Sequence, residues 1–165
     1  MPNLINKIAI ITVYANPNRW NDSDRQAALL TAVEDEFMKA GLRKGYRVSD
    51  RSDVDRVLQE IHFQQSGLTD EAGASRLGKM LNVEAVLIVK VMPGKTIYHS
   101  EGPFSANRYY NATCDVSARL VSVERAEVLA LASVSHAGIE DDPNDFQDLA
   151  VQGAKELAGA LPGKN

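Results

Sequence analysis

Apolar and polar positions along the chain follow two alternating periods. Lys7 to Tyr14, KIAIITVY, is a β-branched apolar run of strand length and predicts a strand buried on both faces. Asn16, Pro17, Asn18 and Asn21 then make a polar loop, and Asp22 or Ser23 stands where a side-chain oxygen caps a helix. In that helix Leu29, Val33 and Phe37 recur every four residues, an apolar stripe that reaches Ala40 and predicts a stop at Gly41.

Tyr46 to Val48 predicts a short strand, and Ser52 with Asp53 starts a helix carrying Val54, Val57, Leu58 and Ile61 on one face. Gly67 interrupts the pattern. Thr69 and Ala72 then open a helix whose Leu77, Met80 and Leu81 face the core, and Ala85 to Val91 is a dense apolar strand. Met92 to Arg108, broken by Pro93, Gly94, Gly102 and Pro103, reads as an exposed loop or an irregular hairpin.

From Tyr110 to Leu120 apolar residues occupy alternate positions, so one face is buried and one wet. Glu124, Arg125 and Ala126 separate this strand from Glu127 to Ala137, which predicts an antiparallel hairpin with a short turn. Pro143, with Asp142 as cap, opens a final amphipathic helix through Phe146, Leu149, Ala150, Gly153, Leu157 and Leu161. The order β-α-β-α-α-β-β-β-α predicts an α/β (α+β) fold in which helices pack on one mixed sheet, with residues 1–165 forming one domain.

Composition changes this picture little. The 44% hydrophobic and 24% charged content is that of a folded chain rather than a disordered one. A net charge of −4, with basic and acidic residues interspersed, gives no footprint for nucleic acid. No apolar run approaches the roughly 18–20 residues of a membrane-spanning helix, so no transmembrane segment is expected. The Met-Pro-Asn start fits a native start or the point left by removal of a signal peptide. Cys114 cannot form an internal disulfide as the sole cysteine, so thiol content does not choose a compartment.

Candidate chemistry is sparse. His62, His99 and His136 lack any zinc-ligand spacing, and Cys114 falls on the inward face of its strand, where a thiol is structural. Glu140, Asp141, Asp142, Asp145 and Asp148 lack calcium-loop spacing and suit the positive end of a helix. No phosphate-cradling glycine loop or serine nucleophile elbow is present. No catalytic, cofactor-binding or metal-ligating residue is therefore assigned, and no cofactor is expected.

Aromatic and arginine side chains are enriched at protein interfaces because they bury large areas at low entropy cost. Arg19 and Trp20, beside Tyr14, and Tyr98, Phe104, Arg108 and Tyr109, beside Tyr110, are accordingly the partner-contact candidates.

The segment Tyr46 to Val91, YRVSDRSDVDRVLQEIHFQQSGLTDEAGASRLGKMLNVEAVLIVKV, resembles the core of the CsgG family of curli assembly and transport components. The likeness is carried by Val48, Asp50 and Arg51, by Gln64-Gln65-Ser66-Gly67-Leu68, by Ala74 and Leu77-Gly78-Lys79, and by Ala85 to Ile88. It extends loosely to the first strand and helix, to VSARLVSVERAEVLA, and to the final helix. These positions read as architecture: Gly67 and Gly78 suit a positive φ or a close approach, and Asp50 with Arg51 a pair or cap at a helix entry.

The resemblance implies a fold like the periplasmic domain of CsgG, related in shape to the TolB N-terminal domain and to LpoB-like activators of peptidoglycan synthases. It implies a non-enzymatic, envelope-associated assembly or accessory module that binds protein partners or self-associates. Two departures are expected to separate this chain from pore-forming members. The late hairpin closes too tightly at Glu124 to Ala126, and the Met92 to Arg108 segment is too polar, to supply transmembrane strands. No lipobox cysteine stands near the start. Location is then periplasmic or outer-membrane-associated if a signal peptide has been removed, and otherwise unassigned. The alternative is a small-ligand binding or sensing domain with its pocket under Met92 to Arg108.

Overall fold

The computed structural model describes residues 5–15, 23–60, 70–100, 102–104, 108–140 and 146–163. The elements are β1 (Lys7–Tyr14), α1 (Ser23–Arg43), β2 (Arg47–Val48), α2 (Arg51–Glu60), α3 (Glu71–Leu81), β3 (Ala85–Ser100), β4 (Arg108–Ser122), β5 (Val128–Glu140) and α4 (Gln147–Gly159), in the predicted order. They build one mixed sheet, β2-β1-β3-β4-β5. β1 runs parallel to β2 and β3, and β3, β4 and β5 form an antiparallel meander.

β1 has a helix layer on each side, which is why its sequence is apolar without alternation. Ile8, Ile10 and Tyr14 join Leu29, Val33 and Phe37 of α1 and Leu149, Ala150 and Leu157 of α4 in one core. Ala9, Ile11 and Val13 face the other way and join Val54 and Val57 of α2 and Ala74, Leu77 and Leu81 of α3. Each fully buried aliphatic or aromatic side chain here contributes about 1.5–3 kcal/mol relative to exposure.

Element ends differ from expectation for local reasons. α1 continues through Gly41 to Arg43, and the residue that ends it is Gly45, at φ 91°. Gly45 N–H donates to Leu42 O at 3.1 Å and Tyr46 N–H to Gly41 O at 3.0 Å, the paired bonds that close a helix on a left-handed glycine. Ser23 is the first helical residue rather than the cap. Asp22 lies outside the described residues, as do Ile61, His62, Gly67 and Thr69.

α3 is capped by Asp70, whose Oδ1 accepts from Gly73 N–H at 2.6 Å. Its buried stripe is Ala74, Leu77, Gly78 and Leu81; Met80 lies one position off it and is exposed, contrary to expectation. α4 begins at Gln147, after a buried, non-helical Phe146 that makes no side-chain cap. It does not run continuously from Pro143, which with Asp142 is outside the described residues. At its last residue and just beyond, Lys44 Nζ donates to Gly159 O at 2.8 Å and to Leu161 O, and Tyr46 OH donates to Pro162 O at 2.5 Å. Burial raises the Tyr46 phenol above its usual range.

Of the two forms expected for Met92 to Arg108, an exposed loop or an irregular hairpin, the structure has the irregular hairpin, and what it corrects is the end of the strand before it. β3 does not end at Val91 but continues to Ser100, and β4 begins at Arg108. Pro93 and Gly94 are absorbed by a register shift between Pro93 and Thr96, after which pairing resumes from Thr96↔Ala112 to Ser100↔Arg108. A bulge lets one strand carry residues that a regular ladder rejects. β5 likewise extends three residues past Ala137 to Glu140.

Asp50 and Arg51 are expected from the sequence to pair or to cap the helix entry; Asp50 O accepts from Val54 N–H at the start of α2, while the Arg51 side chain ties α2 to α1. Its Nε lies 2.8 Å from Glu34 Oε2 and its Nη2 2.7 Å from Asp35 Oδ1. Burial pushes the Glu34 carboxyl above the usual range, and Arg51 pulls it back only in part. A carboxyl with a raised folded-state pKa favours folding when protonated, and that contribution is lost as pH rises through the raised value. Arg51→Ala is expected to cost about 1–2 kcal/mol near neutral pH, a figure discounted for the guanidinium's access to solvent. The cost should shrink as pH falls and Glu34 protonates. Urea denaturation at neutral pH and near pH 4 checks this; an equal loss at both would assign the effect to packing instead.

Candidate contact surface

The two helix layers cover the sheet unequally. α2 and α3 pack over β1, β3, Val121 at the end of β4 and Val123 just beyond it, and among the described residues no helix covers the outer part of β3, β4 and β5 on that face. Alternation puts three cross-strand rows there: Ile88–Arg119–Leu131, Lys90–Ser117–Ser133 and Met92–Asp115–Ser135. Ile88 is still core, while Met92, Leu131 and, further along, Ile139 are exposed. At 70% and 69%, Leu131 and Ile139 are the most exposed large aliphatic residues among those described.

Arg119 marks the border of the helix cover, its Nη1 lying 3.2 Å from Glu71 Oε1 in the first turn of α3. Beside it is a shallow depression of about 550 Å³ lined by Ile88, Lys90, Ser117, Val128 and Leu131 among others. A second, of about 350 Å³, lies between Lys90, Met92, Asp115, Ser133 and Ser135. Neither is lined by a histidine or cysteine. Shallow hydroxyl-lined ground between exposed aliphatics suits contact with another macromolecule more than bond-making chemistry.

The β3–β4 hairpin prolongs this surface past the bulge. His99 and Tyr109 continue its face, whereas Tyr98, half exposed, pairs with Tyr110 and lies on the opposite face; Phe104, at the hairpin end, is fully exposed. His99, in a strand rather than the expected loop, stacks on Tyr109 with ring centroids 5.1 Å apart, and Asn111 Nδ2 donates to His99 Nε2 at 2.9 Å. The hairpin end is thus a small aromatic platform. Arg108 and Tyr110 have their backbones in β4, but their side chains, like Arg19 and Trp20 altogether, lie outside the described residues. Tyr14 is a core residue.

The remaining candidates are structural. Cys114 is fully buried, and burial, then the Asp115 charge, pushes its thiol up to about 12. A thiol reagent at about pH 8 is expected to leave Cys114 untouched in the folded protein and to modify it within minutes in denaturant; equal rates would contradict its burial. His136 Nε2 lies 2.9 Å from Glu156 Oε2, holding β5 to α4. Among the described residues no group of three or more His, Cys, Asp or Glu is placed to hold a metal ion, and no helix is long and apolar enough to cross a membrane. Of the acidic group, Asp148 sits in the first turn of α4, while residues 141–145 are outside the described set.

Much of the Met92 to Arg108 segment is spent on strand pairing, and the depression of about 350 Å³ touches it at Met92. A cleft of about 440 Å³ lies at the other end of the sheet, between Lys79, Asn82, Val83, Val123 and Leu129. Sequence reading missed Leu131, Ile139 and Met92 as surface residues. No signal in the sequence marked them, since it is the strand register that places Leu131 opposite the polar Arg119 rather than the apolar Leu120.

Residues 7–144 match the profile of the family described as the curli production assembly/transport component CsgG. No curated protein sequence matches the chain. Among solved structures, the fold is similar to lipoprotein GNA1162 from Neisseria meningitidis, at a TM-score of 0.61 and 15% identity over 94% of this chain and 97% of that one. It is also similar to the PelC dodecamer from Paraburkholderia phytofirmans, at a TM-score of 0.52 and 10% identity over 98% and 89%. A putative neuraminyllactose-binding hemagglutinin homolog from Helicobacter pylori gives 0.53 and 12% over 97% and 87%.

Proposed function

The chain belongs to the CsgG family, and from that premise we propose that it is a non-enzymatic, envelope-associated assembly or accessory module that works by binding proteins. The observation that carries this reading is the part of the sheet that, among the described residues, no helix covers, continued on the same face by the stacked His99 and Tyr109 of the hairpin. Exposed aliphatic and aromatic groups of this kind on a folded domain mark interaction sites. That the similar Neisseria protein is a lipoprotein and PelC a dodecamer supports a periplasmic or outer-membrane-associated setting and a capacity to self-associate.

The test is a photo-crosslinking amino acid placed at Tyr98 or Phe104 in the source bacterium. Discrete protein adducts in the envelope fraction are expected from both positions and none from Gln59, exposed on α2. Absence of adducts from both hairpin positions, or recovery of the protein outside the envelope fraction, would overturn the reading. A double Tyr98→Ser, Phe104→Ser variant should abolish any partner binding while leaving the thermal midpoint unchanged, since both rings already face solvent.

A further inference from the structure

The sheet ends in opposite ways on its two sides. One edge is β2, two residues long, and the other is β5, thirteen residues long. An edge strand carries a row of N–H and C=O groups without strand partners, and proteins block such edges by brevity, lysine, proline, an inward charge or a bulge. β2 is blocked by brevity. β5 is not: Val128 to Ile139 contains no Lys, Arg, Asp, Glu or Pro. Its bulge sits at the turn end, opposite Leu120 and Val121, leaving Ala130 to Glu140 in regular register.

We propose that β5 pairs with β5 of a second copy of this chain, antiparallel about a twofold axis at Ser135, to give one continuous ten-stranded sheet. The register follows from the side chains. With the axis at Ser135, Leu131 of each copy stands opposite Ile139 of the other, and Ser133 stands opposite Ala137. All of these lie on the face that α2 and α3 leave uncovered. The two most exposed aliphatics thereby cover one another, whereas a shift of two residues either way separates them.

On the other face the edge offers Ala130, Ala132, Val134, His136 and Gly138, small apart from His136, which Glu156 already holds and which would oppose Val134. No like charges meet, so the pairing has none of the repulsion that normally protects an edge. At about 3.3 Å per residue the seam is roughly 40 Å long. It lies at the small end of specific interfaces, so a dissociation constant of micromolar order is expected. The inference rests on the contact-module reading above and assigns the β5 side of that surface to a second copy, leaving the hairpin platform to other partners.

The experiment is oxidation of the purified full chain carrying Ser135→Cys, with diamide, at low micromolar concentration. Antiparallel partners have Cα atoms about 4.5–5.5 Å apart, inside the roughly 4.4–6.8 Å that a disulfide spans. Disulfide-linked dimer is expected at least tenfold faster than for Gln59→Cys, with buried Cys114 silent in both. Ser133→Cys mixed with Ala137→Cys should crosslink faster than either alone. Light scattering across a concentration series should show a monomer–dimer equilibrium, and Leu131→Lys should raise its dissociation constant at least tenfold with an unchanged circular dichroism spectrum.

A strict monomer, or equal rates for the Ser135→Cys and Gln59→Cys variants, would overturn the pairing. An oligomer indifferent to Leu131→Lys would also overturn it while leaving the contact-module reading standing. Loss of hairpin crosslinks in cells with β5 pairing intact would do the reverse.

Discussion

Truncating Phe37 to alanine is expected to remove about 3–5 kcal/mol of stability, the range for deleting a buried aromatic ring where the surroundings relax only in part. Phe37 is fully buried on α1, in the core shared by β1, β3, β4 and α4. Helix α1 reaches that core through one stripe of Leu29, Val33, Phe37 and Ala40, so a cavity at Phe37 falls in the middle of the contact. Domains of this size hold about 5–15 kcal/mol in total, and the variant should fall close to its unfolding threshold. Leu42, on the same helix but 60% exposed, is the control: Leu42→Ala should change stability by no more than about 0.5 kcal/mol. Urea denaturation followed by circular dichroism measures both. A Phe37→Ala loss below about 1 kcal/mol would mean that α1 does not dock as described.

The second large effect is expected at Gly78. A Cβ at this position would lie 2.2 Å from Val123 Cγ2 and 3.1 Å from Val86 Cγ2, so α3 sits against the sheet at a distance only glycine allows. Gly78→Ala gains about 1 kcal/mol of helix propensity, yet overpacking of about 1–3 kcal/mol or more outweighs it. A net loss of about 1–2 kcal/mol is expected. The cause is separable by a double-mutant cycle: Val123→Ala removes the colliding methyls, so the double variant should be more stable than the two single losses predict, by about 1 kcal/mol or more. Strict additivity would sink the steric explanation. The consequence reaches function, because Ser75 Oγ donates to Val123 O at 2.5 Å in the same contact, and the seating of α3 sets where the helix cover stops and the exposed surface starts.

How far the sequence is legible depends on how local the deciding force is. The α1 stripe, the doubly buried β1, the inward row of β4 and the apolar face of α4 were all readable, since burial on one face imposes a period of 3.6 or 2 wherever it acts. The family likeness was readable for a related reason, as its motif residues are local in sequence, and two of them, Gly78 and Val86, meet where α3 packs on the sheet. The Met92 to Arg108 segment was not readable as long strands. Pro93 and Gly94 are local breakers, and only pairing with β4 across a bulge outweighs them. Of the contact candidates, Tyr98 and Phe104 are exposed and Tyr109 is half-buried against His99.

By itself, then, the sequence determined the element order, most of the apolar faces that enter the core and the family, because each is written in side-chain periodicity or in motifs whose packing is local. Only the tertiary structure decided that Arg51 answers Glu34 and Asp35 rather than Asp50, that the β3–β4 hairpin carries an aromatic end, and that Leu131 and Ile139 face solvent. Those outcomes depend on which elements become neighbours and on how far a helix layer extends over a sheet. Neither quantity has a period along the chain.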